Sequence, residues 1–346
     1  MRAFGVWIVF LCLLLTSCSN YEAKLEPKGD ILARGFMPNV EIVEAEEDFS
    51  KDPQFDDVTQ ALEVLNQDLQ LAIHTGDRKE LRTHTFSNGE EHTYTAYRGI
   101  VFDGDVILGT TKELQDSIVE YEDHLSGNSE LISTQGAMYK QYCQVRFLFV
   151  CNEKWGGGWP GGVVSIDNSS YAKLSNSQKD LINGVLGEME GKTDISWKFA
   201  STGDRVKITT NEMGCFAVPG RSNKQPQQLN LEVSKDTNCF SRRVVMHEFG
   251  HVLGLMHEHQ RSDRDKYIDI QSSNLTSEGK AQLNKKFSYE TSTPYDYISL
   301  MHYDNFQGDR FAKDDSRPVF TGIGYSGPFG NSTLSPNDII AINQRY

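Results

Sequence analysis

The 346-residue chain is poor in positive charge, in long apolar runs and in cysteine. Its 34 Lys and Arg stand against 48 Asp and Glu, and a net charge of −14 repels a phosphate backbone, which argues against a nucleic-acid partner. The apolar run Phe4 to Leu15 covers only about 12 residues, well below the roughly 20 that a spanning helix needs. Glycine and proline are ordinary and no internal repeat is evident, so fibrous and collagen-like architectures are excluded. What remains, with 38% apolar and 24% charged residues, is a globular chain long enough for two domains.

The N-terminal run follows Met1-Arg2 and reads as a signal-peptide core. After it comes Leu15-Thr16-Ser17-Cys18, which resembles the lipobox of bacterial lipoproteins, where the Cys is lipidated and becomes the new first residue. An ordinary signal peptide with an incidental Cys18 is the alternative, and both predict export. Cys12 leaves with the signal and Cys18 is assigned to lipid, so Cys143, Cys151, Cys215 and Cys239 belong to the folded protein, in an oxidising compartment.

Residues 18–57 are acidic and interrupted by Pro38 and Pro53, the pattern of a tether. Spacings of three and four among Val58, Leu62, Leu65, Leu69 and Ile73 predict a helix from Asp57 to Ile73. Leu81 to Phe86 and His92 to Val101 read as strands joined at Asn88-Gly89, a hairpin dipeptide, and Lys112 to Leu125 as a helix. Past the glycine-rich loop Trp155 to Gly162, strands are predicted at 163–166, 195–199, 206–210 and 229–231, with a helix from Ser177 to Met189. That order indicates an α+β domain beginning near residue 150.

Five of the nine histidines lie between residues 247 and 302. In His247-Glu248-Phe249-Gly250-His251 the two imidazoles sit at i and i+4, one turn apart on one helix face, where both can reach a single metal ion. Glu248 points about 100° away, off the ligand pair yet close enough to reach a metal-bound water. Gly254 can take a positive φ and end the helix, which brings His257 in as a third ligand and leaves zinc an open fourth position. With Ser299-Leu300-Met301-His302-Tyr303 downstream, this is the metzincin arrangement H-E-x-x-H-x-x-G-x-x-H plus a Met-turn.

Within the metzincins the chain resembles the astacin family. His257-Glu258-His259-Gln260-Arg261-Ser262-Asp263-Arg264-Asp265 follows that family's H-E-x-x-R-x-D-R-D extension, Tyr295-Asp296-Tyr297 precedes the Met-turn, and Leu334-Ser335-Pro336-Asn337-Asp338 opens a similar C-terminal helix. The resemblance covers about residues 154–346; Leu255 replaces a customary Phe. It implies a zincin fold, with a twisted mixed sheet, an active-site helix and a C-terminal subdomain after the third His, preceded by an α+β propeptide. It also implies one Zn²⁺ per chain on His247, His251 and His257, with Tyr303 as a movable further ligand that stabilises the oxyanion and Glu248 as general base. Met301 would form the hydrophobic floor of the site, Glu258 would pair with the amino terminus made on activation, and Cys215 with Cys239 would form the family's short disulfide. Both partners of its second bridge are missing. The strand-like segment between Cys143 and Cys151 would span about 25 Å, too far for them to bridge while it stays extended, so their pairing remains open.

Phe102-Asp103-Gly104-Asp105 resembles the F-x-G-D motif of astacin propeptides, which implies Asp105 as an inhibitory zinc ligand. A plain strand–turn–strand, or a thiolate switch through Cys143, is the alternative. The expected organisation is a signal peptide (1–17), a tether (18–57), a propeptide (58–150) and a catalytic domain (151–346). The expected protein is a zinc endopeptidase with protein or peptide substrates and an activating protease, membrane-anchored through Cys18 as a precursor and released when cut between about 109 and 155. The competing reading is a non-catalytic surface-binding lipoprotein with a relic zinc site; a metzincin from another branch fits less well with Tyr303 and the run through Asp265.

Overall fold

Short strands with buried alternate positions dominate the N-terminal half of the computed structural model, which describes residues 42–55, 60–61, 78–89, 91–126, 155–222, 225–234, 237–285, 293–308 and 310–346. The signal run, Cys18, most of the acidic tether and of the helix expected at 57–73, Cys143 and Cys151 lie outside the described residues. Strand β1 (Ile42–Glu44) pairs in parallel with β2 (Lys79–Thr85), and β2, β3 (Glu91–Tyr97), β4 (Ile100–Asp103) and β5 (Val106–Thr110) follow as an antiparallel meander. Helix α1 (Thr111–Leu125) packs Leu114 and Ile118 onto Tyr94, Ala96 and Val101.

Residues 42–55, expected as the end of the acidic tether, instead fold with this half: Ile42–Glu44 pairs with β2, and the Asp52 carboxylate meets Arg82 Nη1 at 2.6 Å, burying both against the sheet. Asn88-Gly89 turns the chain, with Gly89 at φ 85°, in the connection between Thr85 and Glu91. The single strand expected from His92 to Val101 is broken by Arg98 (φ 46°) and Gly99 (φ 81°), so that Tyr97 pairs with Ile100. Arg rarely adopts positive φ, so Gly99 is the one residue-type signal for this turn. Gly99 is required there sterically as well, because a Cβ would stand 2.7 Å from the Pro53 carbonyl oxygen.

The second half begins with β6 (Trp155–Gly157), β7 (Val163–Asp167), the short helix α2 (Asn168–Ala172) and α3 (Asn176–Lys192), whose start is fixed by a capping box between Ser175 and Gln178. It continues with β8 (Ser196–Ala200), β9 (Val206–Thr209), β10 (Cys215–Ala217), β11 (Arg221–Ser222), β12 (Gln227–Leu231) and helix α4 (Arg242–Val252). After α4 come β13 (Ile268–Ile270), α5 (Ser277–Gln282), β14 (Phe320–Gly322) and α6 (Pro336–Arg345). The order β, α, β, β, β, helix is the mixed α+β arrangement the sequence indicated, with the short helix α2 and strands β10 and β11 added and with β6 formed inside the segment expected as a glycine-rich loop.

One ten-stranded mixed sheet runs through both halves in the order β1-β2-β3-β4-β5-β10-β12-β9-β7-β8. The halves meet where β5 lies parallel to β10, with Val106 opposite Ala217 and the Ala217 N–H donating to the Asp105 carbonyl at 3.1 Å. The main core lies between the sheet and helices α3 and α4, where Ile182, Val185 and Met189 meet Val245, Phe249 and Leu253 over Val164, Ile166 and Leu229. Cys215 and Cys239 form a disulfide with Cα atoms 5.8 Å apart, tying β10 to the segment that leads into α4. No helix among the described residues is long and apolar enough to cross a membrane.

Candidate metal centre and active site

Helix α4 presents the site because both of its ends are fixed. At the N-terminus the Ser241 hydroxyl accepts from the Val244 N–H at 3.3 Å. At the C-terminus Gly254, at φ 91°, closes a Schellman motif in which the Gly254 N–H donates to the His251 carbonyl at 2.7 Å and the Leu255 N–H to the Gly250 carbonyl at 3.0 Å. The last carbonyls receive further donors: Trp159 Nε1 reaches Val252 O and the Tyr346 hydroxyl reaches Leu253 O, each at 3.0 Å.

This turn carries His257 back toward the helix, and the Nε2 atoms of His247, His251 and His257 converge with the carboxylate of Asp105. The oxygens of Asp105 lie 3.2 Å from His247, 3.3 Å from His251 and 2.8 Å from His257, and all four side chains are buried. Asp105 arrives in the turn between β4 and β5. Gly104 there has φ 65°, and a Cβ on it would stand 2.4 Å from Gln282 Oε1. Strand–turn–strand and approach to the site are therefore one feature, because the turn is what delivers the carboxylate.

The far side of each ring defines its tautomer. His247 Nδ1 faces Leu300 O at 3.2 Å, His251 Nδ1 faces Leu255 O at 2.8 Å, and His257 Nδ1 faces Gln260 Oε1 at 3.0 Å. The Gln260 amide nitrogen donates to Gln282 O at 3.1 Å, which turns its oxygen toward the ring. All three partners only accept, so each Nδ1 carries the proton and each Nε2 directs a lone pair inward. The oxygens of Asp105 and the Nε2 atoms of His247 and His251 make no hydrogen bond among the described residues. Inward lone pairs from imidazoles and a carboxylate repel one another unless a cation lies between them, and this donor set is that of zinc. Burial lowers the pKa of His247 to about 4, which keeps the ring neutral and fit to ligate.

Glu248 is fully buried beside this cluster, and its oxygens have no hydrogen-bond partner among the described residues. Burial, then the charge of Asp105, pushes its pKa well above the carboxylate range. Tyr303 is buried with its ring centroid 5.0 Å from that of His257, and its hydroxyl donates to Gln282 Oε1 at 3.4 Å. Met301 lies under α4 at Gly250, where a Cβ would stand 2.9 Å from the Met301 sulfur. Glu258 accepts from Arg261 Nη1 at 2.9 Å and from the Asp296 N–H at 2.8 Å, and burial raises its pKa to about 8.

Three further residues serve the site without a role having been read from the sequence: Gln260 and Asp338, which lie in the motifs quoted above, and Gln282. Asp338 accepts from the Ser299 hydroxyl at 2.7 Å and the Leu300 N–H at 2.9 Å, and so holds the Met-turn whose Leu300 carbonyl orients His247. A polar residue three positions after the third His marks Gln260; no pattern marks Gln282, which comes from α5.

A buried three-histidine centre at the end of a helix, with a Glu beside it and a Met-turn beneath, defines a zincin of the metzincin class. The model of the astacin peptidase family matches residues 155–346, and the chain belongs to that family. It is 33% identical over 204 residues to an astacin-like metalloendopeptidase of Mus musculus, covering 58% of this chain and 45% of that protein. It is 30% identical over 187 residues to high choriolytic enzyme 1 of Oryzias latipes, covering 54% of this chain and 67% of that one. The solved structure of that hatching-enzyme zinc-protease is 29% identical and matches 55% of this chain and 92% of its own, with a TM-score of 0.46. The match to the mouse relative thus spans less than half of that protein's length. Other relatives are named zinc metalloproteinases, among them one of Caenorhabditis elegans at 32% identity over 161 residues, 45% of this chain and 31% of that one. The cofactor of this chain is one zinc ion.

Proposed function

We propose that the chain is the exported precursor of a zinc endopeptidase that cuts protein or peptide substrates and is silenced by Asp105. His247, His251 and His257 would hold the ion, which when bound supplies a Lewis acid that polarises a peptide carbonyl and lowers the pKa of water from 15.7 to about 7. Glu248 takes the proton from the attacking water and passes it to the leaving amine. The Tyr303 hydroxyl, released from Gln282, donates to the oxyanion as it forms. Gln260, Leu300 and Leu255 keep the three rings in the ligating tautomer.

In the precursor Asp105 takes the place that water and substrate need, and the backbone of the Gly104 turn shields the site. The segment 58–150 acts as the propeptide and 151–346 as the catalytic domain, with cleavage between them by an activating protease. Cys18, after a signal peptide at 1–17, would carry a lipid that holds the precursor at a bacterial membrane through a tether that ends before β1, because residues 42–55 fold with the N-terminal half. Glu258 is placed to exchange Arg261 for the new amino terminus.

The observation that carries this reading is the convergence of one carboxylate from the N-terminal half on three inward lone pairs from the C-terminal half. The non-catalytic alternative leaves Glu248 without a purpose, since a relic site has no use for a buried carboxyl beside its open position. Glu248→Gln decides between them. After removal of the N-terminal half, casein cleavage is expected to fall by about 10²–10⁴-fold while one zinc per chain is retained; undiminished cleavage refutes the assignment.

A further inference from the structure

Besides Asp105 and the β5–β10 pairing, the N-terminal half grips the catalytic half through α5, by contacts that do not involve the metal. Helix α5 packs on β1 and β3. Its Ala281 is buried with Ile42 of β1 and Leu81 of β2 in a cluster separate from the main core. Next to it Lys79 of β2 is 1% exposed with Nζ 3.6 Å from Glu278 Oε1, and Glu278 also takes an ion pair from Arg310. Lys280 meets Glu44 at 2.7 Å, and the Asn284 amide donates to Thr93 O at 3.4 Å.

The exposed Lys280–Glu44 pair contributes little. The apolar contact decides the matter: Ala281 is buried against strands from the other half, beside a Lys79 amine that Glu278 keeps paired. Gln282 ends the same helix, with its carbonyl accepting from Gln260 and its side chain from Tyr303. The α5 grip therefore adjoins the catalytic groups as well.

We propose that α5 is a latch that holds the N-terminal half independently of the metal, so that cutting the chain does not by itself release or activate the protease. This rests on the precursor reading above. A cut between residues 126 and 155 touches neither grip, nor the β5–β10 pairing that joins the halves into one sheet. Two contacts made by one folded half act together: each keeps the other at high effective concentration, and the severed half stays as a bound inhibitor until the latch is also lost. The lipid-bearing end would keep the cut enzyme at the membrane, whereas release by the cut alone was the simpler expectation.

The test uses the full-length zinc-loaded chain with a recognition sequence for a specific protease inserted between residues 127 and 150. After cutting, the two halves are expected to co-elute on size exclusion and casein cleavage to stay off. Ala281→Glu places a charge under Ile42 and Leu81, and Lys79→Glu opposes Glu278 from the other half. Each is expected to weaken association of the cut halves at least about tenfold with zinc content unchanged. The latch is overturned if the wild-type halves separate once cut, or if neither variant alters their affinity. Co-elution needs no activity. Failure of the protease assignment alone would leave the halves associated, with the catalytic half inert even when freed, whereas failure of the latch alone would give an active enzyme directly on cutting.

Discussion

His247, His251 and His257 are aimed by acceptors behind them: two main-chain carbonyls and one side-chain amide. The carbonyls belong to the fold and cannot be removed by substitution, whereas the oxygen of Gln260 can. Gln260→Leu deletes the acceptor 3.0 Å from His257 Nδ1 and leaves the ring free to rotate or to change tautomer. Zinc affinity, measured by competition with a coloured chelator, is expected to fall about 10–100-fold, and Gln260→Glu, which restores an oxygen, is expected to recover most of it. An unchanged affinity in the Leu variant would mean that packing alone holds the ring. The neighbouring Arg261 has a separate task, since its guanidinium lies between Glu258 and Asp263. Adjacent residues of one motif thus orient the ligand and hold the buried Glu258 beside it.

At the scale of elements, the site depends on how two turns are tied to α4. One is the Schellman turn at Gly254; the other is the Met-turn, whose anchor is the first turn of α6. Ser335 and Asp338 cap that helix reciprocally, and the same carboxylate accepts from Ser299 and Leu300. Asp338→Ala leaves these donors buried without an acceptor and is expected to cost about 2–4 kcal/mol in denaturant unfolding. A loss below about half a kcal/mol would show that water replaces the carboxylate. These elements also show where sequence reading succeeds. The helix bearing the histidines, its glycine stop and the mixed α+β order are local patterns, and each is written in a short run of neighbouring residues. What was not legible is non-local or very short. Strand β10 has three residues after Gly214, too few for any alternation to register. The turn at Arg98-Gly99 is marked only by its glycine, since Arg98 sits at a positive φ its type rarely takes. Gln282 acquires its place only because α5 folds back under Gly104, and no spacing in the chain announces that contact.

For the whole molecule, the question is how tightly one half lies on the other and which condition loosens it. Burial of the Lys79 amine, opposed by Glu278 and reinforced by Arg310, lowers its pKa from 10.5 to about 8. Detached from α5, the amine regains its ordinary value. Below pH 8 it is protonated in both states, and the docked form bears the full cost of a charge taken out of water, about 3 kcal/mol. Between pH 8 and about 10.5 the detached state binds more protons than the docked one, so the stability of docking rises with pH; above that window the amine is neutral in both and the cost is gone. The uncut precursor is therefore expected to resist denaturant better at pH 9.5 than at pH 7.5. Lys79→Met, which keeps the packing and removes the charge, is expected to flatten that rise and to stabilise the neutral-pH form. A wild-type precursor whose pH profile matches that of the Met variant would show that the amine stays hydrated and costs the docked form nothing. A docking interface weakened at neutral pH by its own buried cation is one that a modest local change can open, which suits a segment that must hold firmly in the precursor and still come away.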